Sequence, residues 1–255
     1  MLKKRLVGVI TVKGGWAVQS MGYRRYLPLG HPEYLAENFD RWGADEILVL
    51  CIDRSRRNLG PDFTLLRRLS ALGLSTPLTF GGGIRTVGDA SDIIRAGAER
   101  ICIDRALGDS QEVRAMSALI GAQAIIGVLP LSYGNTSLQL LNYLTEQSTP
   151  LARQSLSLFT GRVVSEALIV DWRGEGHRSG FDMQLIDHFP DRLVPIIAFG
   201  GISEPSQVNR LLNNEQIVAV GVGNFLAYRE HAIQLLKRSV NGDCIRAERF
   251  AGNSR

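Results

Sequence analysis

Short apolar runs alternate along nearly the whole chain with stretches in which apolar positions recur every three or four residues. The runs read as strands buried on both faces, and the spaced stretches as helices that cover a sheet with one face. The pattern predicts strands at 6–12, 46–52, 78–80, 101–103, 124–129, 167–170, 196–199 and 218–220. Helices are expected at 32–42, 62–72, 87–96, 111–120, 151–162, 182–189, 205–214 and 227–238. Thr86, Ser110 and Ser203 stand where side-chain caps of three of these helices belong. Eight such units suit an α/β fold, a (β/α)8 TIM barrel whose active site forms from the loops after the strands. An open doubly wound sheet is the alternative. Residues 129–151 break the alternation, and Tyr133-Gly134-Asn135-Thr136 there predicts a small hairpin after the fifth strand. The polar tail 241–255 is expected to fray.

The chain also repeats itself. Pro77-Leu78-Thr79-Phe80-Gly81-Gly82-Gly83-Ile84 and Pro195-Ile196-Ile197-Ala198-Phe199-Gly200-Gly201-Ile202 each lead from an apolar strand through glycines into a helix and another strand. A twofold half-barrel repeat follows, and two equal halves favour a closed barrel over an open sheet. Glycines at such a turn let backbone N–H groups approach an anion, so two turns suggest a ligand with two phosphates. The plainer alternative is that the glycines only make the turns.

Composition narrows the picture. A chain of 255 residues with 45% hydrophobic content suits one barrel domain over 1–255. The net charge of +4 comes with no basic tract or aromatic-interleaved patch, so nucleic acid is not expected as a partner. Cys51, Cys102 and Cys244 are widely spaced, without metal or redox spacing, which suits reduced core thiols; no metal or cofactor is expected. The basic start at Met1-Leu2-Lys3-Lys4-Arg5 is followed by an apolar run too short for a signal peptide, broken at Lys13-Gly14-Gly15. With no membrane-length apolar run, a cytoplasmic location is expected.

The opening Lys4-Arg5-Leu6-Val7 strand, Gly43-Ala44-Asp45-Glu46, Gly81-Gly82-Gly83-Ile84-Arg85, Ala96-Gly97-Ala98-Glu99-Arg100, Ser179-Gly180-Phe181-Asp182 and Gly200-Gly201 carry a resemblance over nearly the full length. The chain resembles the cyclase subunit of imidazole glycerol phosphate synthase, a barrel that binds a long bis-phosphorylated substrate. The resemblance implies phosphate sites at Gly82, Gly83, Asp104 and Arg105, and at Gly176, Gly200, Gly201, Gly223 and Asn224. The second site is expected to be the stronger, because the Asp104 carboxylate repels phosphate unless Arg105 offsets it. The family closes an imidazole ring with two aspartates, and the matching positions here are Thr11 and Pro130, neither of which can shuttle a proton. Gln19 stands for a lysine, Cys51 for an aspartate, and Asp104-Arg105 for Asn-Thr. No catalytic residue is therefore assigned, and the cyclase (lyase) activity is expected to be lost.

Family members work with a glutaminase docked on the face where the strands begin, and ammonia enters through four charged residues. The matching residues are Arg5, Glu46, Arg100 and Glu166, which could equally form a structural plug. The loop Ile52-Asp53-Arg54-Ser55-Arg56-Arg57-Asn58-Leu59-Gly60-Pro61-Asp62-Phe63 is closer to paralogues associated with amidation of surface sugars. That resemblance implies a barrel subunit that pairs with a glutaminase and passes ammonia toward an ATP-dependent amidotransferase acting on a polysaccharide sugar precursor of O-antigen type. Two alternatives stand beside it: a true cyclase using Asp53 and Asp104, and a non-catalytic phosphate-binding scaffold. Arg24, Arg25, Arg54, Arg56 and Arg57 are expected on the top rim, as phosphate or partner contacts or as a solvated basic face. His177 is a lone loop histidine and Glu175 lies near a phosphate turn, so neither is assigned as a proton carrier. Trp16, Trp42 and Trp172 read as core or loop anchors.

Overall fold

The structure is a computed structural model that describes residues 3–240, 242 and 244–247. The first half contains β1 (Arg5–Lys13), β2 (Trp16–Met21), β3 (Arg25–Gly30), α1 (Pro32–Arg41), β4 (Glu46–Cys51), α2 (Phe63–Ser70), β5 (Leu78–Gly81), α3 (Val87–Arg95), β6 (Arg100–Ile103) and α4 (Ser110–Ile120). The second contains β7 (Ile125–Gly134), β8 (Ser137–Asn142), β9 (Gln147–Pro150), α5 (Ser157–Thr160), β10 (Glu166–Asp171), α6 (Gln184–Asp187), β11 (Ile196–Phe199), α7 (Pro205–Leu212), β12 (Ile217–Val222) and α8 (Ala232–Ser239). Parallel pairing runs β1, β4, β5, β6, β7, β10, β11, β12 and returns to β1. Closure leaves these eight strands without a free edge, and the fold is a (β/α)8 barrel.

Alternation along each strand sorts the core into two layers. One set of side chains, among them Leu6, Ile47, Phe80, Ile101 and Ile169, packs outward against helix residues such as Phe39, Leu66 and Ile93. The other set, including Val7, Leu48, Cys102, Ile126, Leu168 and Ile197, fills the barrel interior. The same parity carries Arg5 to the end where β1 begins and Thr11 toward its mouth. Burial pushes the Cys51 and Cys102 thiols up, away from the reactive thiolate.

Local expectations met the tertiary fold unevenly. Thr86 caps α3 in a capping box with Asp89. Ser110 does not cap α4: Asp109 does, accepting from the N–H groups of Gln111 and Glu112 at 3.1 Å each. Ser203 likewise precedes the cap of α7, which is Glu204, and its hydroxyl accepts from Ser179 N–H at 3.0 Å. The helix expected at 151–162 is reduced to a 3₁₀ turn at Arg153–Leu156 and the single turn α5. Leu151 is held instead by its N–H bond to Leu138 O, 2.8 Å, as the chain leaves β9. The helix at 182–189 shrinks to α6 because Asp182 N–H is drawn to Asp171 Oδ2 at 2.8 Å. The last helix begins at Ala232, after a 3₁₀ turn at Asn224–Tyr228 and a left-handed His231.

The hairpin after the fifth strand is present as β7–β8, and it gains a third strand, β9. A second hairpin, β2–β3, replaces the loop expected after strand one. Lys13 pairs with Trp16 across Gly14-Gly15, both with positive φ, the geometry of a two-residue hairpin turn. Most of the tail at 241–255 lies outside the described residues. Its described part is not frayed: Lys4 N–H donates to Cys244 O at 2.9 Å, and Arg246 N–H to Lys4 O at 3.1 Å. Among the described residues no helix is long and apolar enough to cross a membrane.

Candidate functional site

Among the described residues, the loops after the strands line a central cavity and a second one beside it. The central one, at the mouth, has a volume of about 420 Å³ and is lined by Tyr23, Asp53, Asp104, Pro130, Tyr143 and Trp172, among others. Thr11 is buried at the end of β1, so neither Thr11 nor Pro130 brings a carboxyl group to the mouth. Gln19 is buried and donates to Tyr228 OH. Asp53 Oδ2 accepts from Gly14 N–H at 3.1 Å and lies 3.6 Å from Arg57 Nη1. Arg24, Arg56 and Arg57 line this cavity, and Arg56 pairs with Glu146 at 2.8 Å. Arg54 does not serve the rim. Its guanidinium is spent on Gly60 O at 2.7 Å and Pro61 O at 3.1 Å, closing its own loop.

The glycine turn after β5 is occupied by the protein itself. Gly83 N–H donates to Ser55 Oγ at 3.0 Å, and that hydroxyl donates to Asp104 Oδ1 at 3.1 Å. Tyr143 OH closes the set on Asp104 Oδ2. Burial first, and then the Asp104 charge, pushes the Tyr143 phenol well up, so it remains a proton donor. Arg105 Nη1 reaches Ser55 O at 3.3 Å. Ser55 and Tyr143 were not singled out from sequence, because the partners that define them come from β5, β6 and the β8–β9 turn.

The turn after β11 opens on a second cavity of about 410 Å³. Gly176, His177, Gly201, Ser203, Gly223 and Asn224 are among its walls. Asn224 is anchored to β2, donating Nδ2–H to Ser20 O at 2.5 Å. Asp171 holds the loop after β10, accepting from Gly174 N–H at 2.8 Å and Arg173 N–H at 3.1 Å. Glu175 Oε2 accepts from Ser20 Oγ at 3.0 Å and Tyr23 N–H at 3.3 Å. Burial raises the pKa of both carboxyls despite these bonds.

At the opposite end Arg5, Glu46, Arg100 and Glu166 form a closed ring of alternating charge. Arg5 lies 3.4 Å from Glu46 and 2.7 Å from Glu166; Arg100 lies 3.6 Å from Glu46 and 2.9 Å from Glu166. Thr79 Oγ1 also donates to Glu46. Arg100 has two further anchors, Gln123 O at 3.0 Å and Ser165 Oγ at 2.9 Å. Burial opposes the Arg5 charge, but Glu166 and Glu46 outweigh it and raise its pKa. Beyond the ring the interior is lined by Val7, Leu48, Cys102, Ile126, Leu168 and Ile197.

A closed parallel barrel with glycine turns after β5 and β11 and a charged ring where its strands begin is a (β/α)8 barrel built as two related halves. Residues 5–232 match the family described as histidine biosynthesis protein, and the chain belongs to that family. It is similar to the imidazole glycerol phosphate synthase subunit HisF of Myxococcus xanthus, 30% identical over 215 residues, covering 82% of this chain and 83% of the relative. The subunit of the same name from an Exiguobacterium species is 28% identical over 246 residues, 93% of each chain. That of Leuconostoc mesenteroides is 26% identical over 247 residues, 95% of this chain and 97% of the relative.

Proposed function

We propose that this chain is the barrel subunit of a glutamine-dependent complex that conducts ammonia along its interior and supports amidation of a surface-polysaccharide sugar precursor. The observation that carries the reading is the closed ring Arg5–Glu46–Arg100–Glu166 below an apolar interior. Burying four charges is costly unless they are paired, and a packed apolar floor would close the barrel more cheaply. A ring of ion pairs excludes water and ammonium, whereas neutral ammonia avoids the large desolvation cost of a charge. A glutaminase on the face where the strands begin would supply the ammonia. An ATP-dependent sugar amidotransferase would use it, and a phosphorylated small molecule would occupy the cavity at Gly201, Ser203 and Gly223. The complex would work in the cytoplasm.

Ring closure to an imidazole is disfavoured by Thr11 and Pro130, which replace the carboxylates of the cyclase. Asp53 and Asp104 do not restore them, since one is engaged by Gly14 and Arg57 and the other by Ser55 and Tyr143. Histidine-pathway cyclisation remains the second reading, favoured by the names of the relatives. The test is copurification of a glutaminase with the tagged full chain, followed by glutamine hydrolysis with and without the barrel. Hydrolysis that rises when the barrel is added is expected. If no glutaminase binds and hydrolysis is unaffected, the scaffold alternative replaces this reading.

A further inference from the structure

We propose that the mouth of the barrel carries an anion subsite of its own, formed by Lys13, Arg24 and Arg56 and suited to a diphosphate group, for which Glu146 is a built-in competitor. None of these four residues belongs to either glycine turn.

The three cations come from separate segments that the fold brings to one cavity wall. Lys13 ends β1, Arg24 lies in the turn between β2 and β3, and Arg56 lies in the loop after β4. Lys13 Nζ sits over the Tyr26 ring, 3.6 Å from its centroid. Burial and then the Glu175 charge push the Tyr26 phenol up, and the Arg56 guanidinium is near enough to oppose them. Lys13 and Arg56 therefore flank the same ring. Among the described residues, neither Lys13 nor Arg24 has a carboxylate within ion-pair distance. Cations without a counter-charge on a concave wall draw anions, because the low-dielectric wall focuses their field.

Two of the carboxylates on the same wall are tied down. Asp53 is paired with Arg57 at 3.6 Å and accepts from Gly14 N–H at 3.1 Å. Asp104 is held by Ser55 and Tyr143, and Arg105 Nη1 lies 3.3 Å from Ser55 O beside it. Each of these charges thus has an arginine at hand. Glu146 is different. It ends the turn between β8 and β9 and reaches across the mouth to Arg56, Oε1 to Nη2, at 2.8 Å. The two side chains are 67% and 55% exposed, so water screens the pair and it is worth little by itself. An anion with more charge than a carboxylate can take Arg56 from it. Glu146 then turns to solvent, leaving Lys13, Arg24, Arg56 and Arg57 against Asp53 and Asp104 alone.

A diphosphate suits this set better than a single carboxylate does. Its oxygens can accept from both guanidinium forks and the ammonium at once, and the planar arginine fork matches phosphate geometry. The cavity of about 420 Å³ leaves room for the rest of the ligand beside Tyr23, Tyr143 and Trp172.

The test is calorimetry of inorganic pyrophosphate binding to the full chain at low salt, with a thermal melt of each variant confirming that it is folded. It is run on the wild type and in a Ser203→Asp background, which sets a carboxylate at the second glycine turn and keeps anions from it. One equivalent should still bind in that background. There Lys13→Ala or Arg24→Ala should weaken binding about fivefold or more, and Glu146→Gln should strengthen it about threefold by freeing Arg56. Arg95→Ala, exposed at the end of α3, controls for general surface charge and should change nothing. Binding that is lost in Ser203→Asp, indifferent to Lys13 and Arg24, unchanged or weaker in Glu146→Gln, or equally weakened by Arg95→Ala would each overturn the subsite. Abolition by Arg85→Ala, with Lys13 and Arg24 dispensable, would place the anion at the first glycine turn instead.

Discussion

Replacing Glu46 by alanine tests the charged ring most directly. Glu46 is 3% exposed and is the second carboxylate of a ring that balances two guanidinium groups. Without it, Arg5 and Arg100 compete for Glu166 Oε2, which lies 2.7 and 2.9 Å from them, and the Thr79 hydroxyl loses its acceptor. Breaking a buried pair costs about 3–5 kcal/mol. Here both arginines keep one carboxylate, Arg100 keeps two neutral anchors, and the ring is partly open to water. The expected loss is therefore about 2–3 kcal/mol. At about 2–4 °C per kcal/mol for a chain of this size, Tm should fall by roughly 4–12 °C. Thermal unfolding followed by circular dichroism reads this directly. On the conduit reading, the variant reconstituted with its glutaminase should still hydrolyse glutamine but release ammonia to solvent. A Tm within 1 °C of wild type would refute the energetic argument. An intact coupling ratio would refute the conduit.

Three further outcomes are expected. Asp45→Ala removes the carboxylate from Lys237 Nζ, 2.8 Å away and buried, and the acceptor of Leu6 N–H; denaturant unfolding should show a loss of about 3–5 kcal/mol, and a loss below about 1 kcal/mol would mean the pair is solvated. Glu175 has a raised pKa, so its contribution to stability is full below its ordinary value near 4.5 and falls as pH rises through the folded value. Glu175→Gln should consequently gain Tm relative to wild type between pH 4 and pH 7, and an unchanged difference would contradict the sign. Finally, the chain should not support growth of a cyclase-null strain without histidine, because Thr11 and Pro130 offer no acid–base pair; growth would reinstate cyclisation.

The eight barrel strands were legible in the sequence because each is buried on both faces and so is apolar almost throughout, as in Glu46–Cys51 and Ile217–Val222. Helices α1 to α4 and α7 were legible for the complementary reason, a single apolar stripe such as Leu65, Leu66 and Leu69. The repeated glycine turns could also be read locally, since a turn of this kind needs positive φ at named positions, as at Gly82 and Gly201.

What the sequence could not settle depends on partners far away in the chain. Asp182 and Leu151 abandon helix starts because Asp171 and Leu138 bind their N–H groups, and local propensity carries no record of those partners. The ring charges belong to strand starts along the chain, but only barrel closure, through β7–β10 and β12–β1, brings Arg5, Arg100 and Glu166 within ion-pair distance. The two glycine turns share their strand and glycines in sequence, and only Asp104-Arg105 against Gly223-Asn224 sets them apart there. Their further difference lies in Ser55 and Tyr143, which reach Gly83 and Asp104 from other loops, and a hydrogen bond between such distant residues exists only once the barrel has set their separation.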